Sequence, residues 1–246
     1  MQPQYAAFVG TVTQGDLPTE GMAALYIEVA PGNEVFRLVD IAVKATEARP
    51  GAQVVEREFG MFEVHSRSQS EVLEAGRIVL GRLGLEVSGR VKPEIASVQV
   101  ITNIDPYQAQ LLNRFRRGSM LVPGETLLVL ECAPAAYINY ACNEAEKGAS
   151  IKLIHVSSVG RFGRMWLSGS ESEILAARVQ IVDVALGVKG LHLPFTPSSS
   201  SMAFTAASRA CRISASEPES HRRPKRPIDE TWMSLIDAPF SASLQA

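Results

Sequence analysis

The sequence predicts a tandem pair of α/β sandwich domains, each a small antiparallel sheet flanked by helices. Two observations carry this. Glu125–Gly187 reads as strand, helix, two strands joined by a glycine-rich turn, and helix, and Met22–Leu85 runs through the same order with the same punctuation. Ile27-Glu28-Val29-Ala30-Pro31 answers Leu130-Glu131-Cys132-Ala133-Pro134, and Lys44 answers Lys147, both 103 residues apart; Ser70-Glu71-Val72-Leu73 answers Ser172-Glu173-Ile174-Leu175 at 102. A period of that length marks whole domains, not the stacked units of a solenoid.

The elements follow in order. Tyr5 to Val12 is an apolar run rich in β-formers and predicts a strand, ended by Gln14-Gly15-Asp16. Met22 to Val29 predicts a second strand, stopped by Ala30-Pro31-Gly32. Asn33 then offers an N-cap for a helix from Glu34 to Glu47, in which Val35, Leu38, Val39, Ala42 and Val43 recur on one face. Gln53–Phe59 and Met61–Ser66 predict two strands hinged at Gly60, the residue between them that accepts positive φ at least cost. Ser68 or Ser70 caps a helix carrying Val72, Leu73, Gly76, Val79 and Leu83 on one side, ended by Gly84.

Lys92-Pro93-Glu94 is a polar break, after which Ile95–Thr102 resumes as a strand. The domains expected are thus 1–90 and 91–195. Asp105-Pro106 starts a short helix to about Phe115, with a capping side chain before a proline whose missing N–H costs nothing there. That helix has no counterpart in the first repeat. Residues 196–246 are rich in serine, proline and arginine and lack periodicity, so the expectation is a disordered tail, with a short helix over 228–236 (IDETWMSLI) that needs a partner surface.

The chain of 246 residues is 46% hydrophobic and 20% charged with a formal net charge of −2, an ordinary globular composition without a nucleic-acid footprint. The first residues carry no basic, apolar leader pattern, and no apolar run approaches membrane-spanning length, so a cytoplasmic protein without membrane contact is expected. Cys132, Cys142 and Cys211 show no CxxC spacing and fit a reducing compartment. His65, His155, His192 and His221 form no metal-ligand spacing, and there is no nucleophile elbow, phosphate loop or dinucleotide fingerprint. Neither an enzyme nor a cofactor is expected.

Taken together, the IEVAPG and LECAPA segments, the lysines in Ala42-Val43-Lys44 and Ala145-Glu146-Lys147, and the glycine-containing strand-turn-strand resemble the tandem-domain shell proteins of bacterial microcompartments. Placing Ala6–Thr13 and Ala96–Asn103 ahead of the shared strands resembles the circularly permuted form of this ferredoxin-like domain. The segments GTVTQGDLP, MAALYIEVAPG, VVEREFG and SMLVPGETLLVLECAP are most similar to the Rhodococcus and Mycobacterium type. The resemblance covers roughly residues 5 to 188 and rests on ordered agreement along the chain.

It implies a structural role. Three chains would form a pseudohexameric homotrimer that tiles laterally with hexameric and pentameric shell proteins around enclosed enzymes, with a central pore for metabolites. The strand-turn-strand loops, Glu58-Phe59-Gly60 and Val159-Gly160-Arg161-Phe162, fall at the family's pore-lining position. A ring of opposite charges from Glu58 and Arg161 would set which ions pass, and Glu56-Arg57 is a second, gating pair. Lys44 and Lys147 fall at the disc edge, where a lysine lays its stem along a neighbour and donates to backbone carbonyls. An iron–sulfur cluster of the kind some relatives hold needs a pore-loop cysteine, and neither loop has one. The basic run His221–Arg226, with the segment after it, is the part of the tail suited to an acidic enclosed enzyme or a neighbouring shell protein. The rival reading is a soluble regulatory module that binds a small ligand between two ferredoxin-like domains.

Overall fold

The computed structural model describes residues 1–87, 91–182, 187, 205–209 and 234–236. The first repeat contains helix α1 (Pro3–Val12), strand β1 (Ala23–Val29), helix α2 (Glu34–Ala45), strands β2 (Arg49–Glu56) and β3 (Phe59–Ser66), and helix α3 (Gln69–Leu83). The second contains β4 (Glu94–Ile101), α4 (Pro106–Asn113), β5 (Thr126–Ala133), α5 (Tyr137–Gly148), β6 (Lys152–Ser157), β7 (Gly163–Gly169) and α6 (Glu171–Gln180). Two tail strands follow, β8 (Thr205–Arg209) and β9 (Ser234–Ile236). The sheets run β2-β3-β1-β8-β9 and β4-β5-β7-β6, antiparallel throughout.

The duplication extends into backbone detail. The Ala30-Pro31 and Ala133-Pro134 peptides are both cis. Val29 pairs with Gly60, and Cys132 pairs with Gly163. A Cβ added at Gly60 would lie 2.0 Å from Val35 and 2.2 Å from the Gly32 carbonyl oxygen; one at Gly163 would lie 2.1 Å from the Ala135 carbonyl oxygen and 2.8 Å from Ile138. Each glycine therefore admits the first turn of the preceding helix, α2 or α5, against the sheet.

Both sheets are covered twice. Leu25, Ile27, Val29, Phe62 and Val64 pack on Val35, Leu38 and Ala42 of α2 and on Val72, Ala75 and Val79 of α3. The opposite face of β1, Ala24 and Tyr26, packs on Tyr5, Phe8 and Val9 of α1. In the second repeat Leu128, Leu130, Met165 and Leu167 meet Ile138, Ala141 and Ile174. There the outer face, Leu127 and Val129 with Trp166, is closed by Ile104, Ala109 and Leu121 of the α4 segment. The inserted helix α4 serves the second sheet alone, whereas α1 lies between the repeats, against the outer face of β1 and against α5 and β6.

Four expectations change. The strand predicted over Tyr5–Val12 is helix α1: its buried residues Tyr5, Ala6, Phe8 and Val9 share a helical face, and Pro3 sits at the helix start. The hinge between β2 and β3 is not Gly60, which lies inside β3; Arg57 takes the left-handed conformation at φ 55°. Residues 205–209, assigned to a disordered tail, form β8 on the free edge of β1. Residues 234–236 are strand, not the end of a helix; the remainder of 228–236, the basic run His221–Arg226 and Cys211 lie outside the described residues.

Candidate functional site

The two strand-turn-strand loops differ in length. Glu56 closes the ladder against Phe59, leaving Arg57 and Glu58 exposed at a two-residue tip. The second loop spans residues 158–162 between β6 and β7, with Gly160 at φ 95°. The Arg161 guanidinium carbon lies 6.0 Å from the centre of the Phe162 ring. The fold brings the loops together: the Glu56 carboxylate lies 3.1 to 3.3 Å from where a Cβ of Gly160 would stand, beside a backbone whose φ of 95° glycine adopts without strain. Of the sequence-derived pore residues, Glu58 and Arg161 are exposed, Phe59 and Phe162 are half-buried, and Gly60 is buried in the helix–sheet contact.

The lysines are not equivalent. The Lys44 side chain is 72% exposed and reaches Asp40 at 2.7 Å. That of Lys147 is 23% exposed and lies 3.2 Å from buried Glu144. Cys132 and Cys142 are buried free thiols whose pKa values burial raises, so neither is a ready thiolate. No group of three or more His, Cys, Asp or Glu side chains suited to a metal occurs among the described residues.

Behind the loops the repeats finish one another's helices. Glu28, 2% exposed on β1, accepts the Ala136 N–H at 2.7 Å at the start of α5. Alanine at that N-cap has no side chain to do so. In return Glu146 of α5 accepts the Gln4 and Tyr5 N–H groups at the start of α1, at 2.8 and 2.9 Å. Gln4 also bridges to β6, donating to the Ile151 carbonyl and accepting from the Leu153 N–H. Burial lifts the Glu28 pKa from 4.5 to about 8, against the lowering effect of the Ala136 and Ala135 N–H groups.

A second buried polar cluster lies in the first repeat. His65, fully buried, stands between Glu63 Oε1 at 3.0 Å and Asp16 Oδ2 at 3.1 Å. Burial lowers the His65 pKa, but hydrogen bonds and charge from Glu63 and Asp16 outweigh it and leave it raised. His155 is different: its Nδ1 is buried without a partner, Phe8 meets it edge-on and Trp166 is tilted against it. Burial, then Arg117 and Arg164, lowers its pKa. A cleft of about 340 Å³ between the repeats is lined by Tyr26, Met61, Asn139, His155 and Arg117 among others.

Two repeated sheets with paired loops and a shared junction are the arrangement that the resemblance to tandem-domain microcompartment shell proteins implies. The comparisons agree. Residues 1–89 match the model of the CsoS1D N-terminal domain. The carboxysome shell protein CcmP of Synechococcus elongatus is 50% identical over 194 residues, 79% of this chain and 91% of that protein. The carboxysome shell protein CsoS1D of Prochlorococcus marinus is 44% identical over 187 residues, 74% of this chain and 73% of that protein. Among solved structures, the fused permuted hexameric shell protein MSM0275 from the RMM microcompartment is 42% identical with a TM-score of 0.73, covering 76% of this chain and 92% of its own. The double ringed trimeric shell protein MSM0271 is 36% identical with a TM-score of 0.74, covering 78% and 94%. The chain belongs to the tandem-domain microcompartment shell proteins of the CsoS1D and CcmP type. It is a structural shell component, not an enzyme.

The sequence placed the paired loops but missed the reciprocal capping and the Glu63–His65–Asp16 cluster. One signal was present: Glu28, Glu63 and His65 interrupt otherwise apolar strands, and in strands buried on both faces a charged side chain has to find a partner.

Proposed function

We propose that three copies of this chain form a pseudohexameric tile whose centre is a metabolite pore lined by Glu58, Phe59, Val159, Gly160, Arg161 and Phe162. The contact of Glu56 with Gly160 carries the reading, because it sets the two loops of one chain side by side, as adjacent sectors around a common axis require. Alternating Glu58 and Arg161 then ring the opening, and Glu56 with Arg57 forms its gate, Arg57 supplying the conformationally costly position of the turn. Lys44 and Lys147 mediate lateral contact with neighbouring discs, including hexameric and pentameric shell proteins. The basic run His221–Arg226 with the segment after it is the part of the tail that we assign to an acidic enclosed enzyme or a neighbouring tile.

The likeness to the RMM shell protein supports the Rhodococcus and Mycobacterium type, and the 50% identity to CcmP supports a carboxysome type. We read the chain as a member of the group that spans both, located in a cytoplasmic shell; no described helix is long and apolar enough to cross a membrane.

The test is solution mass and negative-stain imaging of the wild type and of Lys44→Ala with Lys147→Ala, together with metabolite flux through shells carrying Arg161→Glu. Trimers of three 26.6 kDa chains that form sheets, lose them in the double variant, and pass anions more slowly with Glu at 161 support the reading. A monomer, or unchanged flux in an intact shell, overturns the tile or the pore respectively.

A further inference from the structure

The middle strands of the two sheets correspond at the spacing of the repeat, so Ala24–Glu28 of β1 answer Leu127–Glu131 of β5. On one side they also have corresponding neighbours, β3 beside β1 and β7 beside β5. On the other side they do not. β5 takes β4, a strand of its own repeat, whereas among the described residues no strand of the first repeat reaches the outer edge of β1, and the tail strand β8 fills it.

β8 stands where β4 would. Ser97, Val98, Gln99, Val100 and Ile101 lie opposite Glu131, Leu130, Val129, Leu128 and Leu127. Thr205, Ala206, Ala207, Ser208 and Arg209 lie opposite Glu28, Ile27, Tyr26, Leu25 and Ala24, the corresponding residues in the same order. Both strands run antiparallel to their partners, so direction and register agree. Two segments that enter from different parts of the chain and reach one register point to a slot defined by the middle strand, not by its occupant. All seven residues of β1 are buried, as in a central strand, whose second edge has to be paired.

The tail fills this slot thinly. β4 places Val98 and Val100 beside Leu130 and Leu128, and both valines pack against the core that contains those leucines. At the same two positions the tail has Ala206 and Ser208. Alanine is depleted from strands, and neither it nor serine has the β-branch that fills a pleated surface. The positions opposite Ile27 and Leu25 therefore carry less apolar bulk than their counterparts in the second sheet.

We infer that the outer edge of β1 is a strand-acceptor site: residues 205–209 are its resident, and it takes in exchange an extended peptide with β-branched apolar residues at the positions opposite Leu25 and Ile27. Recognition is by strand addition, in which the backbone ladder supplies affinity and alternate side chains supply selection. The tail is then a removable cover over a peptide site beside the domain junction, where β8 runs close to α3 and α5.

The test uses the full chain and a labelled synthetic peptide of residues 94–102, EIASVQVIT, followed by fluorescence anisotropy and amide hydrogen exchange. In the chain alone, amides over 24–28 and 205–209 should exchange slowly. Bound peptide should release 205–209 to fast exchange and leave 24–28 protected, which distinguishes the β1 edge from the outer edges of β2, β4 and β6. Successive residues of a strand point their N–H groups to opposite neighbours, so of Ala206 and Ala207 one faces β1 and the other β9. Ala206→Pro with Ala207→Pro thus deletes one bond to β1 and should tighten peptide binding about fivefold; circular dichroism confirms that this variant folds. Val98→Ala with Val100→Ala in the peptide should weaken binding about tenfold. Peptide that fails to bind the proline variant at millimolar concentration, or that binds while 205–209 of the wild type stay protected, overturns the acceptor site. Tail amides that exchange freely in the wild type alone overturn the tail as its resident.

Discussion

Replacing Glu28 by glutamine tests whether the domain junction buries a neutral acid. The unfolded chain ionises Glu28 near 4.5, and the folded chain near 8. A raised folded pKa means that the protonated form is favoured on folding. The contribution is therefore fully present below 4.5, declines as pH rises, and stops declining above about 8. At about 1.4 kcal/mol per pH unit, roughly 3 kcal/mol is lost by pH 7 and roughly 4 to 5 kcal/mol above pH 8. Glutamine keeps the acceptor for the Ala136 N–H and has no proton to lose. After about 1 kcal/mol for an unmatched amide donor, Glu28→Gln should be about 2 kcal/mol more stable than wild type at pH 7 and near parity, or slightly less stable, at pH 4.5. Urea midpoints at half-unit steps from pH 4.5 to 9, at one protein concentration, give the difference curve, in which Glu63 and His65 cancel. A difference that stays flat across that window would show that Glu28 is not the titrating group and would refute the assignment of a buried neutral acid.

Gly163→Ala places a methyl group against the Ala135 carbonyl and Ile138 and should lower stability by about 2 to 3 kcal/mol, read from thermal melts; Gly60→Ala, closer to Val35, should do at least as much. Glu146→Ala uncaps α1 at about 1 kcal/mol, so amide exchange should accelerate across residues 3–12 and not across α3. His65→Leu leaves Glu63 buried without its partner and should cost about 3 kcal/mol or more at neutral pH by chemical denaturation, with most of the loss recovered when Glu63→Leu is added.

Much of this architecture is legible in the sequence because it is written twice. The strand-ending prolines and the apolar helix faces recur at one spacing, and that repeated pattern places the elements. Reading residues 5–12 as strand failed because local propensity lost to distant contacts: α1 is fixed by Glu146 and by the outer face of β1, neither of which lies nearby in sequence. Gly60 was assigned to the turn because a glycine between two strands suits a hinge. Its actual work, admitting Val35, depends on a helix that arrives from the other direction. The loop positions of Glu58 and Arg161 were legible, yet the meeting of Glu56 with Gly160 was not, since nothing in either repeat encodes the angle between them. Glu28 escaped notice for a related reason: one acidic residue near the end of an apolar strand reads as the point where the strand meets solvent until a second domain is placed on that face.

The bond from Glu146 to the start of α1 also imposes an order on the birth of the molecule. At about 5 to 20 residues per second, roughly 7 to 30 s separate the synthesis of Gln4 from that of Glu146. Throughout that interval α1 has no acid to hold it and no α5 to lie on, so residues 3–12 find their place long after they are made. Nascent chains stalled short of Glu146 should be cut by protease within residues 3–12, and chains released beyond α6 should resist. A ribosome-bound half of this protein is therefore not half of its structure, and any chaperone that attends it would hold α1 until α5 is complete.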